Sequence, residues 1–159
     1  MTEHYLEDYS VGQKFLSGRL RVAKERITSF AAEFDPQPFH LDEDAARNSI
    51  FQGLAASGWH TAAMSMRLLI ESELRPAGGI IGAGIDELRW PRPVRSGDEL
   101  RVESEIVEVR PSQSRPRLGL IKVRTTTLNQ AGEAVQVFVG NLVVPRRPPS
   151  ADAGDAKPR

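Results

Sequence analysis

Four segments in the second half of the chain have the pattern of β-strands, and they constrain the fold more than any other feature. They are rich in Val, Ile, Leu and Thr, and they occupy residues 80–90, 99–110, 118–129 and 134–144. In the second segment, the alternate residues from Leu100 to Ile106 are apolar or small and charged residues lie between them, as in a strand with one buried face. Turn-forming sequences at 96–98 and 129–132 separate segments of this run. We therefore predict an antiparallel sheet built as a meander.

A long apolar helix is predicted before these strands, from about residue 57 to residue 74. A continuous apolar stripe recurs at helical spacing: Trp59, Ala62, Ala63, Met66, Leu69, Ile70 and Leu74. Met64 and Leu68 lie on other faces, so we expect the helix to be buried on more than one side. A helix of roughly 18 residues spans about 27 Å. One long buried helix followed by antiparallel strands predicts an α+β domain in which the sheet wraps around the helix.

Two shorter helices are predicted nearer the amino terminus. The first has apolar residues on one face, at Ile27, Phe30, Ala31 and Phe34. Pro36 and Pro38 end it, because proline cannot continue a helix and restricts the residue before it. The second is expected at about residues 41–48, where three acidic residues suit the amino-terminal turn.

Length and composition limit the class of protein. The chain has 159 residues, which suits one domain, and it has no cysteine, which excludes disulfides, thiolate metal sites and a thiol nucleophile. Lys+Arg and Asp+Glu number 21 each, and the zero net charge argues against nucleic acid or an anionic membrane as a partner. No apolar run approaches the roughly 20 residues that cross a bilayer. The start, MTEHYLEDYS, is unlike a secretory signal, so we expect a cytoplasmic protein.

The domain is expected to occupy residues 1–145. Residues 146–159 consist of prolines, small residues and charges, which leave little apolar surface to bury. We therefore predict a disordered tail there.

The segment FDPQPFH at residues 34–40 is the first candidate for chemistry. Pro36 and Pro38 make the backbone stiff, so the loop can hold Asp35 and His40 at a defined separation. A carboxylate and an imidazole on one rigid loop can divide general acid and general base work. From the spacing alone, the more ordinary interpretation is that Asp35 ends a helix and His40 packs in the core.

The longer segment FDPQPFHLDEDAA resembles the hydratase motif of MaoC-like proteins, which has the form D-x-N-P-x-H followed by an alanine-bearing helix. Asp35, Pro38 and His40 fall on its main positions. Gln37 replaces the usual Asn, and Phe34 stands where Gly is common. Neither change removes the acid or the base.

Two further stretches are similar to the same family, the MaoC-like dehydratases and (R)-specific enoyl-CoA hydratases. FQGLAASGWHTAAMSMRLL resembles the stretch that leads into the family's central helix, and LRWPRPVRSGDEL resembles the strand and turn before its last strands. The resemblance covers roughly residues 6–144. It implies a hotdog fold, in which an antiparallel sheet wraps around a long helix.

The resemblance also implies a reaction and its residues. It implies reversible hydration of a 2-enoyl-CoA thioester to the 3-hydroxyacyl-CoA, with no cofactor and no metal. Asp35 and His40 would share the water and its protons. The amide of Gly58, with Ser57 beside it, would stabilise the thioester oxygen, since free amides at a helix start carry partial positive charge. Without the resemblance, Gly58 would only relieve crowding at a helix start. Members pair sheet edges across a two-fold axis, so a homodimer or higher oligomer is expected.

Other polar residues receive no catalytic role. His40 and His60 lack the spacing of metal ligands, and His60 is expected to pack inside its helix with a satisfied hydrogen bond. Arg89, Arg92 and Arg95 form a basic cluster that could meet a nucleotide phosphate, although a solvated loop face is favoured.

Two rival functions stay open at this point. A hotdog thioesterase would share the fold but release free thiol. A non-catalytic hotdog subunit would bind acyl chains or a partner. The presence of both Asp35 and His40 favours the hydratase over either rival.

Overall fold

A computed structural model describes residues 2–150 of the chain. Four helices occupy the first half: α1 (Lys24–Phe34), α2 (Pro38–Leu41), α3 (Glu43–Arg47) and α4 (Gly58–Glu71). Six strands complete the domain: β1 (Lys14–Leu16), β2 (Leu20–Arg21), β3 (Ile81–Arg89), β4 (Glu99–Pro111), β5 (Leu118–Leu128) and β6 (Ala134–Pro145). The predicted α+β class and the four predicted strands are confirmed, with ends that differ by a residue or so.

The strands form one antiparallel sheet in the order β1-β4-β5-β6-β3, and β2 also pairs with β4. The prediction of a simple meander is therefore wrong for β3, which pairs with β6 rather than with its successor β4. Residues 90–98 connect β3, at one edge of the sheet, to β4, next to the strand at the opposite edge. At the far end of this crossing, the amide of Val22 donates to the Asp98 carbonyl and the amide of Gly97 donates to the Val22 carbonyl. These bonds dock the crossing segment on the amino-terminal part of the chain.

Helix α4 packs against β4 and β6 of this sheet and has one strongly buried face. That face contains His60, Thr61, Met64, Ser65, Leu68 and Leu69. The helix has 14 residues and is shorter than predicted, because the chain leaves helical geometry at Ser72, whose hydroxyl and amide both donate to the Leu69 carbonyl. The predicted apolar stripe is only partly buried. Trp59 and Ile70 are 59% and 54% exposed, since the sheet covers α4 from one side only.

Helix α1 confirms the first short helix and positions the segment after it. Ile27 and Ala31 are fully buried, but Phe34 is 66% exposed, contrary to its predicted place on the buried face. The reason is that the helix ends at Phe34 and the chain turns away at Asp35. Pro38 then occupies the first turn of α2, where its missing N–H costs nothing. His40 therefore lies in a short helical turn rather than in the predicted loop.

The end of the described chain contacts the first helical turn, a 3-10 helix at Leu6–Asp8. The Arg147 guanidinium donates to both carboxylate oxygens of Asp8, at 2.6 and 2.7 Å, and its amide donates to Glu7 at 2.8 Å. Most of the predicted disordered tail, residues 151–159, lies outside the described residues. Within residues 2–150, no helix combines the length and the hydrophobicity that crossing a membrane requires.

Candidate active site

His40 is held in one orientation by the backbone of the segment before α4. Its side chain is buried, and its Nδ1 lies 2.6 Å from the carbonyl oxygen of Ala55. Because a carbonyl can only accept, Nδ1 carries the proton and donates it to this bond. The other ring nitrogen, Nε2, lies 3.3 Å from Oδ2 of Asp35. The ring nitrogen that is not bonded to Ala55, Nε2, therefore faces the Asp35 carboxylate.

Asp35 is a half-buried carboxylate surrounded by hydrogen-bond donors. It lies at the carboxyl end of α1, where its amide donates to the Ala31 carbonyl at 2.9 Å. Burial alone would raise its pKa, but the Ser57 hydroxyl, the Gln37 side-chain amide and the nearby His40 outweigh that effect and hold the pKa below its usual value. Asp35 is therefore ionised at neutral pH. The Gln that departs from the family motif is thus one of the groups that hold this carboxylate.

Ser57 and Gly58 form the amino terminus of α4 beside this pair. Ser57 is fully buried, and its hydroxyl oxygen accepts from the Trp59 amide at 3.2 Å, as an N-cap does. The Gly58 amide has no hydrogen-bond partner within residues 2–150. A helix start presents such amides with partial positive charge. The structure therefore brings together all four residues that the sequence singled out.

Trp90 is a residue of this site that the sequence reasoning missed. A Cβ built on Gly58 would lie 2.7 Å from Cδ2 and Cε2 of the Trp90 ring, so the ring packs directly on the glycine backbone. The indole N–H of Trp90 donates to Oε1 of the buried Gln136 at 3.0 Å. The Trp59 ring lies edge-on to the Trp90 indole. A tryptophan directly before a Pro-x-Pro sequence was the available signal. Gly58 thus allows close approach of a side chain, in addition to any approach of a ligand.

An open cleft adjoins these groups. It has a volume of about 610 Å³, and its lining includes His40, Gly58, Thr61 and Trp90. Apolar side chains, two arginines and a helix amino terminus surround one imidazole, and such a mixture of apolar surface with a few polar groups is typical of a small-molecule site. The cleft is large enough for the reacting part of an acyl thioester.

The comparisons with known proteins agree with this arrangement. A family model described as the MaoC like domain matches residues 8–129. The chain belongs to the MaoC-like domain family. A crystal structure of a MaoC-like dehydratase from Rhodospirillum rubrum is 57% identical, with a TM-score of 0.89, and the match covers 92% of this chain and 99% of that one. The family and the hotdog fold predicted from the sequence are therefore confirmed.

Of two other relatives of this MaoC-like protein, one is named only as uncharacterized and the other is named as an R-hydratase. The uncharacterized protein YdeM of Bacillus subtilis is 37% identical over 87% of this chain and 96% of its own length. The unliganded R-hydratase PhaJ1 of Pseudomonas aeruginosa is 27% identical, with a TM-score of 0.69, over 92% of this chain and 95% of that one. Mesaconyl-CoA hydratases also match, but the chain spans only between 21% and 43% of their length. The hydratase names thus belong to distant relatives.

The basic cluster of this MaoC-like domain is already engaged by protein groups. The Arg95 guanidinium donates to the carbonyls of Phe51, Gly53 and Leu54. Arg92 pairs with Glu133 at 2.9 Å, and Arg89 pairs with Glu87. Arg95 therefore fixes the loop that leads to Ala55, the hydrogen-bond partner of His40.

His60 lies apart from the Asp35–His40 pair, on the buried face of α4. Its ring stacks on Phe30, with centroids 4.7 Å apart and planes 9° apart. The expected hydrogen bond is absent, since the buried Nδ1 has no partner within residues 2–150. Burial and, to a smaller extent, the nearby Arg26 hold the pKa of His60 below its usual value. His60 is a neutral ring at neutral pH.

Proposed function

We propose that the protein catalyses the reversible hydration of a 2-enoyl-CoA thioester to the 3-hydroxyacyl-CoA. The observation that carries this proposal is the Asp35–His40 pair, with Nε2 and Oδ2 3.3 Å apart, since His40 lines a cleft that the amino terminus of α4 also lines. Membership of the MaoC-like family and the relatives named as hydratases, PhaJ1 and the mesaconyl-CoA hydratases, support the same reaction class. A thioester acidifies the position next to its carbonyl, so this reaction needs acid–base groups and an oxyanion donor.

The roles follow from the protonation pattern of the pair. The ionised Asp35 accepts a proton from a water molecule whose oxygen adds to the β-carbon of the enoyl group. That proton passes from Asp35 to Nε2 of His40, whose own Nδ1 proton stays committed to Ala55, and then from Nε2 to the α-carbon. Both side chains are then back in their starting state, so the net change is the addition of one water.

The negative charge that develops on the thioester oxygen needs a donor. The Gly58 amide is free to supply one, and Ser57 contributes by fixing the helix start and the Asp35 carboxylate. Loss of one such donor typically lowers kcat by about 10²–10³-fold. We therefore assign Gly58 to the oxyanion and Ser57 to positioning.

The test is a panel of trans-2-enoyl-CoA substrates, followed by loss of the enoyl absorbance. Asp35→Asn and His40→Ala should each lower turnover by about 10²–10⁴-fold, because each removes a positioned acid or base, while the melting temperature stays near that of the wild type. Release of free thiol would identify a thioesterase instead. Inactivity of the wild type on every chain length would favour the non-catalytic role, and wild-type turnover in either variant would remove the pair from the mechanism.

We also propose that the protein works as a homodimer or higher oligomer. Strand β3 lies at one end of the sheet order and pairs with β6 on one side. Ile81 and Ile85 on this strand are each 56% exposed, and Trp59, Met66 and Ile70 of α4 add further exposed apolar surface. An edge strand with apolar neighbours is a liability unless another chain covers it.

Light scattering tests this assembly. The wild type should have at least twice the 17.6 kDa of one chain. Ile85→Asp, which places a charge on the proposed contact, should shift the population towards monomer, whereas Val11→Asp on a separate exposed turn should not. A monomeric wild type at micromolar concentration would refute the proposal. A cytoplasmic location stays a prediction.

A further inference from the structure

Ile50 is a large apolar side chain that the described fold leaves in water. It is 92% exposed, and it lines the cleft that His40 and Gly58 also line. The His40 side chain is only 6% exposed. Because one lining side chain is buried and the other is almost wholly exposed, Ile50 marks the mouth of the cleft and His40 marks its inner end. A single exposed apolar residue is ordinary on a protein surface, so the position of Ile50 at this mouth is the informative feature.

The loop that carries Ile50 is braced on both sides of this residue. On one side, the Ser49 hydroxyl oxygen accepts from the Phe51 amide at 3.1 Å. On the other side, the Arg95 guanidinium donates to the carbonyls of Phe51, Gly53 and Leu54. A Cβ on Gly53 would lie 3.2 Å from Nη1 of Arg95, so glycine leaves room for the guanidinium. The loop therefore holds Ile50 in a fixed place.

The rest of the mouth comes from the segment at residues 90–95, which also lines the cleft. Pro91 and Pro93 are both exposed, and each ring fixes φ of its own residue. The mouth thus combines an isoleucine on a braced loop with two prolines in a stiff segment. Such a surface is apolar and needs no ordering before a ligand binds, which lowers the cost of binding.

The arginines that line the cleft are engaged by the protein itself. Arg95 is bonded to three loop carbonyls, and Arg92 pairs with Glu133 at 2.9 Å. Among the lining residues in the described part of the chain there is no lysine and no further arginine. The mouth therefore suits an uncharged part of a ligand better than its phosphates.

A thioester substrate must cross this mouth between its reacting carbons and its carrier. In the proposed reaction the reacting carbons lie at the inner end, beside Nε2 of His40. The cleft volume of about 610 Å³ suits one drug-sized group, and the nucleotide of coenzyme A lies at the far end of the arm. The segment that crosses the mouth is then the pantetheine arm, an uncharged chain of methylene groups and amides. Gln52 also lines the cleft, and its side-chain amide can pair with an amide of the arm.

We propose that Ile50 binds the pantetheine arm of the substrate against the two prolines, and that recognition of the carrier ends at this arm. This inference rests on the proposed hydratase function and states which part of the thioester the protein recognises. The nucleotide beyond the arm then adds little to binding. Ile50 lies at the mouth and away from the reacting carbons, so its loss should raise KM and leave kcat unchanged.

The experiment compares three thioesters of trans-2-butenoic acid: those of coenzyme A, of pantetheine, and of N-acetylcysteamine, which keeps only the sulfur end of the arm. For the wild type, kcat/KM of the pantetheine thioester should lie within about tenfold of that of the coenzyme A thioester. Ile50→Ala should raise KM for both about 5- to 20-fold, because apolar carbons are lost from the contact, and should leave kcat/KM of the N-acetylcysteamine thioester unchanged.

A matched control checks that the effect belongs to the mouth. Ile50 is so exposed that Ile50→Ala should fold normally, and its melting temperature measures this. Val11 is a 68% exposed aliphatic residue on a separate turn, so Val11→Ala should keep every wild-type KM.

The outcomes separate this inference from the proposed function. A larger preference for the coenzyme A thioester would overturn it, since the nucleotide would then be recognised. An equal loss for all three thioesters in Ile50→Ala would overturn it as well, because Ile50 would then contact the acyl group, and so would an unchanged KM. Each of these results leaves the hydratase in place. Failure of the wild type to hydrate any of the three thioesters, or any other chain length, would contradict both proposals.

Discussion

Replacing Gly58 by alanine should act on the protein through Trp90. The new Cβ would lie 2.7 Å from two carbons of the indole ring and 2.9 Å from a third. Carbon atoms in contact normally lie about 3.5–4.0 Å apart, so the ring or the start of α4 must move by close to 1 Å. The ring cannot move freely, because its N–H is bonded to the buried Gln136.

The size of the effect follows from this overlap. Inserting one carbon into a packed contact costs about 1–3 kcal/mol. For a domain of this length, each kcal/mol lowers the melting temperature by about 2–4 °C, so Gly58→Ala should melt about 2–12 °C below the wild type. A displacement near 1 Å at a catalytic site can lower turnover by about 10²-fold. Turnover per folded molecule should fall accordingly.

A double-mutant cycle with Trp90→Leu tests whether the ring carries the effect. Leucine lacks the ring carbons that the Cβ would meet, so Gly58→Ala should cost less than about 0.5 kcal/mol in this background. Turnover of the double variant should then match that of Trp90→Leu alone. Thermal unfolding and enoyl-CoA hydration are measured on all four proteins of the cycle. Additive losses of stability would refute the packing argument, and continued inactivity of a stable double variant would show that the Cβ blocks the thioester itself.

Three further predictions concern groups around the site. Carboxyl NMR should place the pKa of Asp35 below that of an aspartate in an unstructured peptide, and Ser57→Ala should raise this pKa, whereas a raised pKa in the wild type would contradict the prediction. The ionised carboxylate then stabilises the folded state. This stability is complete above the unfolded-state pKa and is lost as the pH falls through the folded-state pKa. Arg95→Met leaves three loop carbonyls without their donor and should lower both turnover and the free energy of unfolding, the latter by about 1–3 kcal/mol, whereas Arg92→Met on the surface should change neither. Ending the chain after residue 150 should leave turnover and melting temperature unchanged. Arg147→Gln should lower the melting temperature slightly at low salt and not at 1 M NaCl, because salt screens the ion pair with Asp8. An equal drop at both salt concentrations would exclude this ion pair as the cause.

Elements that depend on near neighbours in the chain were predictable from the sequence. The four main strands and α1 were located by the spacing of apolar residues, which reflects a helical period of 3.6 residues or a strand period of two. Asp35, His40, Ser57 and Gly58 were identified by motif and by their place before a helix. The end of α4 was placed too late, because Leu74 is buried without being helical and periodicity does not distinguish the two.

Features that depend on distant parts of the chain were decided by the tertiary structure. The pairing of β3 with β6 follows from the route of residues 90–98, and no local pattern encodes that route. The same segment places the Trp90 ring against Gly58, so the tertiary structure determines that a side chain packs on this glycine. The unsatisfied nitrogen of His60 likewise appears only when α1 and α4 meet. The sequence by itself determined which residues are candidates for the chemistry, whereas contacts across many residues of chain decided how they are packed, because such contacts depend on the whole fold and not on local spacing.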